Sequence, residues 1–358
     1  MEPEKRRGTN VSGIDTTLLE GFSFDCRPDC GLCCFASPRL DRADEDRLRA
    51  VVPTARLVMV GGERCIGARE NGGACQFLVA RRCGVHSARP APCREYPVLV
   101  HVGARLQATV VLSCPGLPLD PVDASSTPRD PRAPRGLDSE LASVRERLGP
   151  SVERRRTDAE RRRGRIRRVL ESEGRWVDEE KVRERLARRP LLPSPNEYSP
   201  EDLPPVDDGL EFLPIYFDGR AGPVALGQGF GGWEARELSA EGEARPLGVS
   251  VAPAQRPALA RDAESLLTGY LRYVLARDAF LAAVHLEMVS EPPRLEEDVA
   301  DRALEDLHRI ASDVLARGAV RAKLRGEVGD PLSRHDIELG IRATDQDWLD
   351  RPTWGSRL

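Results

Sequence analysis

Lysine is scarce in this 358-residue chain, with Lys5, Lys181 and Lys323 the only three. Arginine carries nearly all the positive charge, a skew that genomic base composition explains as readily as physics. No apolar run approaches the roughly 18 residues that a spanning helix needs, so no membrane segment is expected. The start, Met-Glu-Pro-Glu-Lys-Arg-Arg, is charged and no apolar stretch of the export-signal kind follows it. A cytoplasmic location is therefore the expectation. Net charge is only -4, which removes any whole-protein reason to expect nucleic acid as a partner. Cysteine is missing from everything after Cys114, and no internal repeat is present.

Several familiar chemistries are also lacking. Gly227-Gln-Gly229-Phe-Gly231-Gly232 superficially resembles a phosphate-cradling loop, but such a loop must run from a strand into a helix. Here Trp233-Glu-Ala-Arg-Glu-Leu reads as another strand, so a turn between strands is expected. Residues 151–168 hold nine arginines against three acids without an aromatic platform. They read as a solvated helix paired to the acidic stretch Glu171–Glu180 rather than as a nucleic-acid surface. His285 sits among Leu281, Val284 and Met288 and reads as a core histidine. His308 and His335 have no partner at ligand spacing, and Ser333-Arg-His335-Asp336 does not make a catalytic triad.

What the sequence has is cysteine, nine of them between Cys26 and Cys114. In a reducing compartment such clustering points to metal or redox chemistry rather than cross-links. The bland alternative is a set of buried inert thiols, yet Arg27, Asp29, Arg82 and Arg94 among them suit an apolar core poorly. Cys30 and Cys33 are spaced to turn back on one metal, and Gly31 permits the tight backbone. Adjacent Cys33 and Cys34 rarely both reach one tetrahedral ion. Either one is not a ligand, or the two serve different metal atoms, which keeps a polynuclear iron cluster open. Cys75, Cys83, Cys93 and Cys114 form a second group, so one or two sites are possible. Thiolates suit zinc and iron–sulfur clusters alike.

The expected architecture is α+β in three parts: an irregular cysteine-rich metal-binding domain over 21–117, a Pro-rich linker with charged helices over 118–194, and a C-terminal region over 195–358. The first part should hold a helix over Asp41–Val52 and a hairpin of Val98–Val102 and Leu106–Leu112 turning at Gly103. Prolines break up Pro115–Arg135 and Arg189–Pro205. Between them, Leu141, Val144, Leu148, Ile166, Val169 and Leu170 recur at helical spacing as one buried stripe. The last part should be an antiparallel sheet of Glu211–Phe217, Pro223–Leu226 and Trp233–Leu238, packed by two helices, Ala258–Val289 and Leu295–Arg317.

Cys30-Gly-Leu-Cys33-Cys34, then Cys75-Gln-Phe-Leu, then Cys83-Gly-Val-His-Ser-Ala-Arg-Pro-Ala-Pro-Cys93-Arg-Glu-Tyr-Pro97 resembles the YkgJ-type cysteine-cluster family, a zinc- or iron-chelating domain that also includes flagellin lysine-N-methylases. The resemblance covers about residues 22–117. It implies Cys30, Cys33, Cys34, Cys75, Cys83 and Cys93 as metal ligands, with Cys26 and Cys114 matching more loosely. Arg89, Pro90 and Arg94 belong to the same signature. His86 stands where the family usually has tyrosine and is expected to fill shape rather than ligate. Cys65 lies outside every matching motif and is expected to be a spare thiol. Two functions follow: a metal-binding protein with a structural or redox-linked role and a protein partner left open, or, by the resemblance, an S-adenosylmethionine-dependent protein-lysine N-methyltransferase acting on a protein substrate.

Overall fold

The structure, a computed structural model, describes residues 13–25, 32–35, 38–60, 63–68, 74–80, 82–123, 137–148, 151–199, 213–215, 224–229, 232–238, 244–251, 256–290, 297–324, 326, 331–349 and 351–357. A short strand, β1 (Ile14–Asp15), opens it. Helix α1 (Arg42–Val51) starts where Asp41 caps it, its carboxylate accepting the Asp44 N–H at 2.7 Å. Two small hairpins follow, β2 (Leu57–Val60) with β3 (Glu63–Ile66) and β4 (Leu78–Val79) with β5 (Arg82–Cys83). A one-turn helix, α2 (Ala91–Glu95), has Pro92 at its second position, where a missing N–H costs nothing.

The sequence-expected hairpin is present as β6 (Val98–Val102) and β7 (Leu106–Val110), antiparallel in register Val98↔Val110. It is the middle of a four-stranded sheet. β1 runs parallel to β7 on one side, and β12 (Ser356–Arg357), at the far end of the sequence, runs antiparallel to β6 on the other. Every residue of β7 is buried, because helices cover both faces of the hairpin.

The charged middle stretch forms α3 (Asp138–Leu148), α4 (Ser151–Ser172) and α5 (Glu179–Leu186). Each buries a narrow apolar stripe: Leu141, Val144 and Leu148; Ile166 and Leu170; Val182 and Leu186. Val169 departs from expectation and stands exposed, since a helical turn offset by about 100° from Leu170 carries it off the stripe. The pairing of the arginine-rich helix with acids is observed: Arg163 grips Glu179 and Arg167 grips Glu171 at 2.7 Å.

Beyond residue 199, β8 (Leu213–Ile215), β9 (Val224–Gly229), β10 (Gly232–Leu238) and β11 (Ala244–Val251) make an antiparallel sheet in the order β11-β10-β9-β8. Gly227 and Gly229 of the glycine-rich run belong to β9 and Gly232 opens the antiparallel β10, so a strand and not a helix follows the run. Among the described residues four helices rather than two follow: α6 (Arg261–Ala276), α7 (Asp278–Ser290), α8 (Val299–Leu324) and α9 (Arg334–Leu349). The expected single helix 258–289 breaks at Arg277, whose backbone turns extended (ψ 122) as its guanidinium is buried against Asp345 of α9 at 2.6 Å. His285 is fully buried, its ring nitrogens facing the Leu281 and Val177 carbonyls at 2.7 and 3.1 Å, as expected of a core histidine.

One large buried cluster gathers side chains from 21–117, 118–194 and 195–358, including Val100, Leu112, Cys114, Leu170, Leu271, Leu307 and Ile341. The start of the proline-rich stretch joins it through Leu117, Leu119 and Val122. Gly269 of α6 makes this approach possible: a Cβ there would lie 1.8 Å from the Val122 carbonyl oxygen. A second, much smaller core contains Leu48, Ala55, Ile66, Phe77 and Val85, with Cys75 and Cys83 packed at its edge. No described helix is long and apolar enough to cross a membrane.

Candidate metal centre

Cys33 and Cys34 lie in a 3-10 turn, Leu32–Phe35. Such a turn compresses the backbone and leaves Cys33 exposed and Cys34 half-buried. The Cys75 N–H donates to the Cys34 carbonyl at 2.6 Å, which pins that turn to the stretch before β4. The Leu78 N–H then returns to the Cys75 carbonyl at 3.0 Å, and the β4–β5 hairpin delivers Cys83 opposite Leu78.

Cys93 comes from α2, and α2 is held from two sides. Asp44 of α1, almost fully buried, accepts the Ala91 N–H with both carboxylate oxygens at 3.1 and 3.0 Å. At the other end Glu95, also buried, takes a two-pronged ion pair from Arg147 of α3. Asp44 and Glu95 are positioning groups that sequence reading did not single out. Their only signal was a carboxylate on an otherwise short amphipathic pattern, which is also what a surface residue looks like.

The thiols feel one another. The hydrogen bond with the Cys34 thiol, against the opposing effect of burial and with help from the charge of Arg89, pulls the Cys33 thiol down to about 7. The same hydrogen bond, then burial, then the charges of Cys33, Cys75 and Cys83 drive the Cys34 thiol well above the usual range. Burial, followed by the charges of Cys33, Cys75 and Cys83, drives Cys93 up as well, with Arg89 opposing. Cys33, Cys34, Cys75, Cys83 and Cys93 therefore share one electrostatic neighbourhood. Crowded thiolates repel one another, and a cation among them removes that penalty.

Arg89 lies between the 3-10 turn His86–Ala88 and α2. Its buried Nε has no hydrogen-bond partner among the described residues. A donor of this kind suits the sulfur of a metal-bound thiolate. His86 is exposed on its turn. Cys65 is buried in β3 opposite Val58.

Residues 25–114 match the CxxCxxCC family model. The family is described as "Putative zinc- or iron-chelating domain". No curated protein and no solved structure matches the chain. Of the cysteines read from the sequence, Cys26 and Cys30 lie outside the described residues. Among the described residues, no three Cys, His, Asp or Glu side chains stand close enough together to hold an ion. The donor chemistry of the matched segment nevertheless suits a soft metal, since its thiols act on one another's charge and the cationic Arg89 acts on Cys33 and Cys93.

Cys114, the last residue of the match, is buried in the large core rather than at the edge of the small one. Its loop still meets the first cysteine segment. The Asp25 N–H, one residue before Cys26, donates to the Gly116 carbonyl at 3.0 Å. A Cβ on Gly116 would sit 2.4 Å from the Asp25 carbonyl oxygen, so only glycine allows this approach. Two surface concavities, one lined by Leu40, Asp41, Arg42, Glu45, Asp46 and Arg64 and the other bordered by Ile166, Val169, Leu286 and Trp354, contain no cysteine.

Proposed function

We propose that this protein holds a zinc ion or an iron–sulfur cluster in its N-terminal third, with Cys26, Cys30, Cys33, Cys34, Cys75, Cys83, Cys93 and Cys114 as the ligand pool. One observation carries the reading: five thiols from a turn, a bridge residue, a hairpin and a helix share one neighbourhood although they are spread over sixty residues of sequence. Five is one more sulfur than a single tetrahedral ion uses, and two of the five are adjacent in sequence. That surplus favours a centre with more than one metal atom over a lone zinc.

Its first role is structural. The small core beside it, with Leu48, Ala55, Ile66, Phe77 and Val85 buried among the described residues, is a modest anchor for the surrounding hairpins and turns. Metal binding adds free energy, because thiolate ligation is coupled to folding. When bound, the metal supplies charge neutralisation and, if it is iron, electron transfer. Arg89 offsets the remaining negative charge, while Asp44 and Glu95 hold α2 so that Cys93 is presented in a fixed place.

Anaerobic purification, followed by a visible spectrum and by iron, zinc and sulfide analysis, tests the proposal. A brown protein with iron and sulfide identifies a cluster, and a colourless one with about one zinc identifies a single site. Protein that retains neither metal after anaerobic reconstitution refutes it.

A further inference from the structure

Helix α9, more than two hundred residues away in sequence, takes hold of the loop that carries Cys114. The Arg342 guanidinium donates to three carbonyl oxygens of that loop: Leu112 at 3.1 Å, Cys114 at 2.6 Å and Leu117 at 2.8 Å. Arg342 is itself buried and braced by Glu338, one turn earlier, at 2.8 Å. One turn later, Asp345 accepts the Leu112 N–H at 2.7 Å. Asp345 is in turn fixed by Arg277 and by the Tyr270 hydroxyl at 3.1 Å. Three carbonyls turned toward one planar cation fold a loop around a single point, a geometry that a lysine cannot reproduce. The same loop accepts the backbone of Asp25 at Gly116, just before Cys26.

We propose that Arg342 is a positioning residue of the metal centre, which links the docking of α9 to metal occupancy through the Cys114 loop. The inference rests on the reading of Cys114 as a ligand. If the loop holds its shape only with α9 docked, a protein without that grip presents Cys114 less well and lets metal go faster. Linkage then requires the reverse, that metal loss loosens α9.

The test uses the full chain loaded anaerobically with metal. Release to a chromophoric chelator is timed in wild type, Arg342→Gln, Arg342→Lys, Cys114→Ser and, as a control, Leu304→Ala in α8. Amide exchange over 334–349 is measured with and without metal. Arg342→Gln and Cys114→Ser should release metal about 10- to 100-fold faster, with Arg342→Lys between Gln and wild type. Leu304→Ala should lose stability yet release at the wild-type rate. Metal removal should speed exchange in α9. Wild-type release from Arg342→Gln overturns the inference, as does equal acceleration in Leu304→Ala, normal release from Cys114→Ser, or α9 exchange that ignores the metal. A wild-type chain that holds no metal sinks the underlying reading of the centre, whereas a loaded wild type with an indifferent Arg342→Gln sinks this inference alone.

Discussion

Replacing Gly116 by alanine tests the convergence of the two ends of the cysteine domain with a single methyl group. The added Cβ would stand 2.4 Å from the Asp25 carbonyl oxygen, against an ordinary contact of 3.4 Å or more, so the two backbones must separate by about 1 Å. That movement stretches the Asp25 N–H to Gly116 bond from 3.0 Å beyond hydrogen-bonding reach. Loss of the bond costs about 0.5–1.5 kcal/mol, and the residual strain of overpacking about 1–3 kcal/mol. Asp25 is exposed and yields easily, which puts the total near the lower end, about 2 kcal/mol. If Cys26 and Cys114 serve the same centre, that cost reappears in metal affinity as a weakening of roughly thirty-fold. Competition of the metal-loaded protein with a chelator of known affinity measures it, with far-UV circular dichroism as the check on folding. A folded Gly116→Ala protein with unchanged metal affinity would refute the convergence.

Cys34→Ser should lower metal content after anaerobic reconstitution, because Cys34 sits among the charges of Cys33, Cys75 and Cys83, whereas Cys65→Ser should retain it; metal loss from Cys65→Ser shows the ligand assignment to be wrong. Asp345→Asn leaves Arg277 buried beside a neutral partner and should destabilise the chain by about 3–5 kcal/mol. A shift in urea stability below about 1 kcal/mol would show the pair to be dispensable. Burial works against the charge of Glu338, but His335 and Arg342 outweigh it and hold its pKa down at about 2. A depressed carboxylate adds stability above its unfolded value of about 4.3, and loses it as pH falls from there toward the folded value. The stability difference between wild type and Glu338→Gln should therefore hold at pH 5 and shrink between pH 4 and 3. A difference that stays level down to pH 3 contradicts the bracing of Arg342 by Glu338.

Local signals were legible. Asp41 before an amphipathic run marks α1, alternating valines mark β6, and close-set cysteines mark the segment that matches the family model, because each depends on residues only a few positions apart. What escaped reading is what depends on charge inside the core. Helix α9 buries Asp336, Arg342 and Asp345, so its buried face does not look apolar and its period is hidden. Arg277 sits inside a continuous hydrophobic pattern and nevertheless ends α6, because Asp345 pairs with its guanidinium. Pro115, Pro118 and Pro121 do forbid long regular elements, but irregular backbone can still be buried, and Leu117, Leu119 and Val122 are. For the site, residue types and spacing point to thiol chemistry, while the neighbours that hold the thiols, Asp44, Glu95, Gly116 and Arg342, are set by contacts with partners 47 and 52 residues away for the first two and 228 for the last.

The holds on the thiol-bearing elements are unequal. Cys93 rides on a helix whose start is bonded to buried Asp44 and whose end is paired with Arg147, so α2 is tied to α1 and to the large core through charge-assisted bonds. Cys114 rides on a loop fixed by Arg342 and Asp345. Cys33 and Cys34 ride on a turn whose Cys34 carbonyl accepts the Cys75 N–H. If the proposed ligands serve one centre, Cys93 and Cys114 are presented by elements that the protein's own contacts already order, so their ordering costs binding little. The positive charge of Arg89 favours the Cys33 thiolate on that turn.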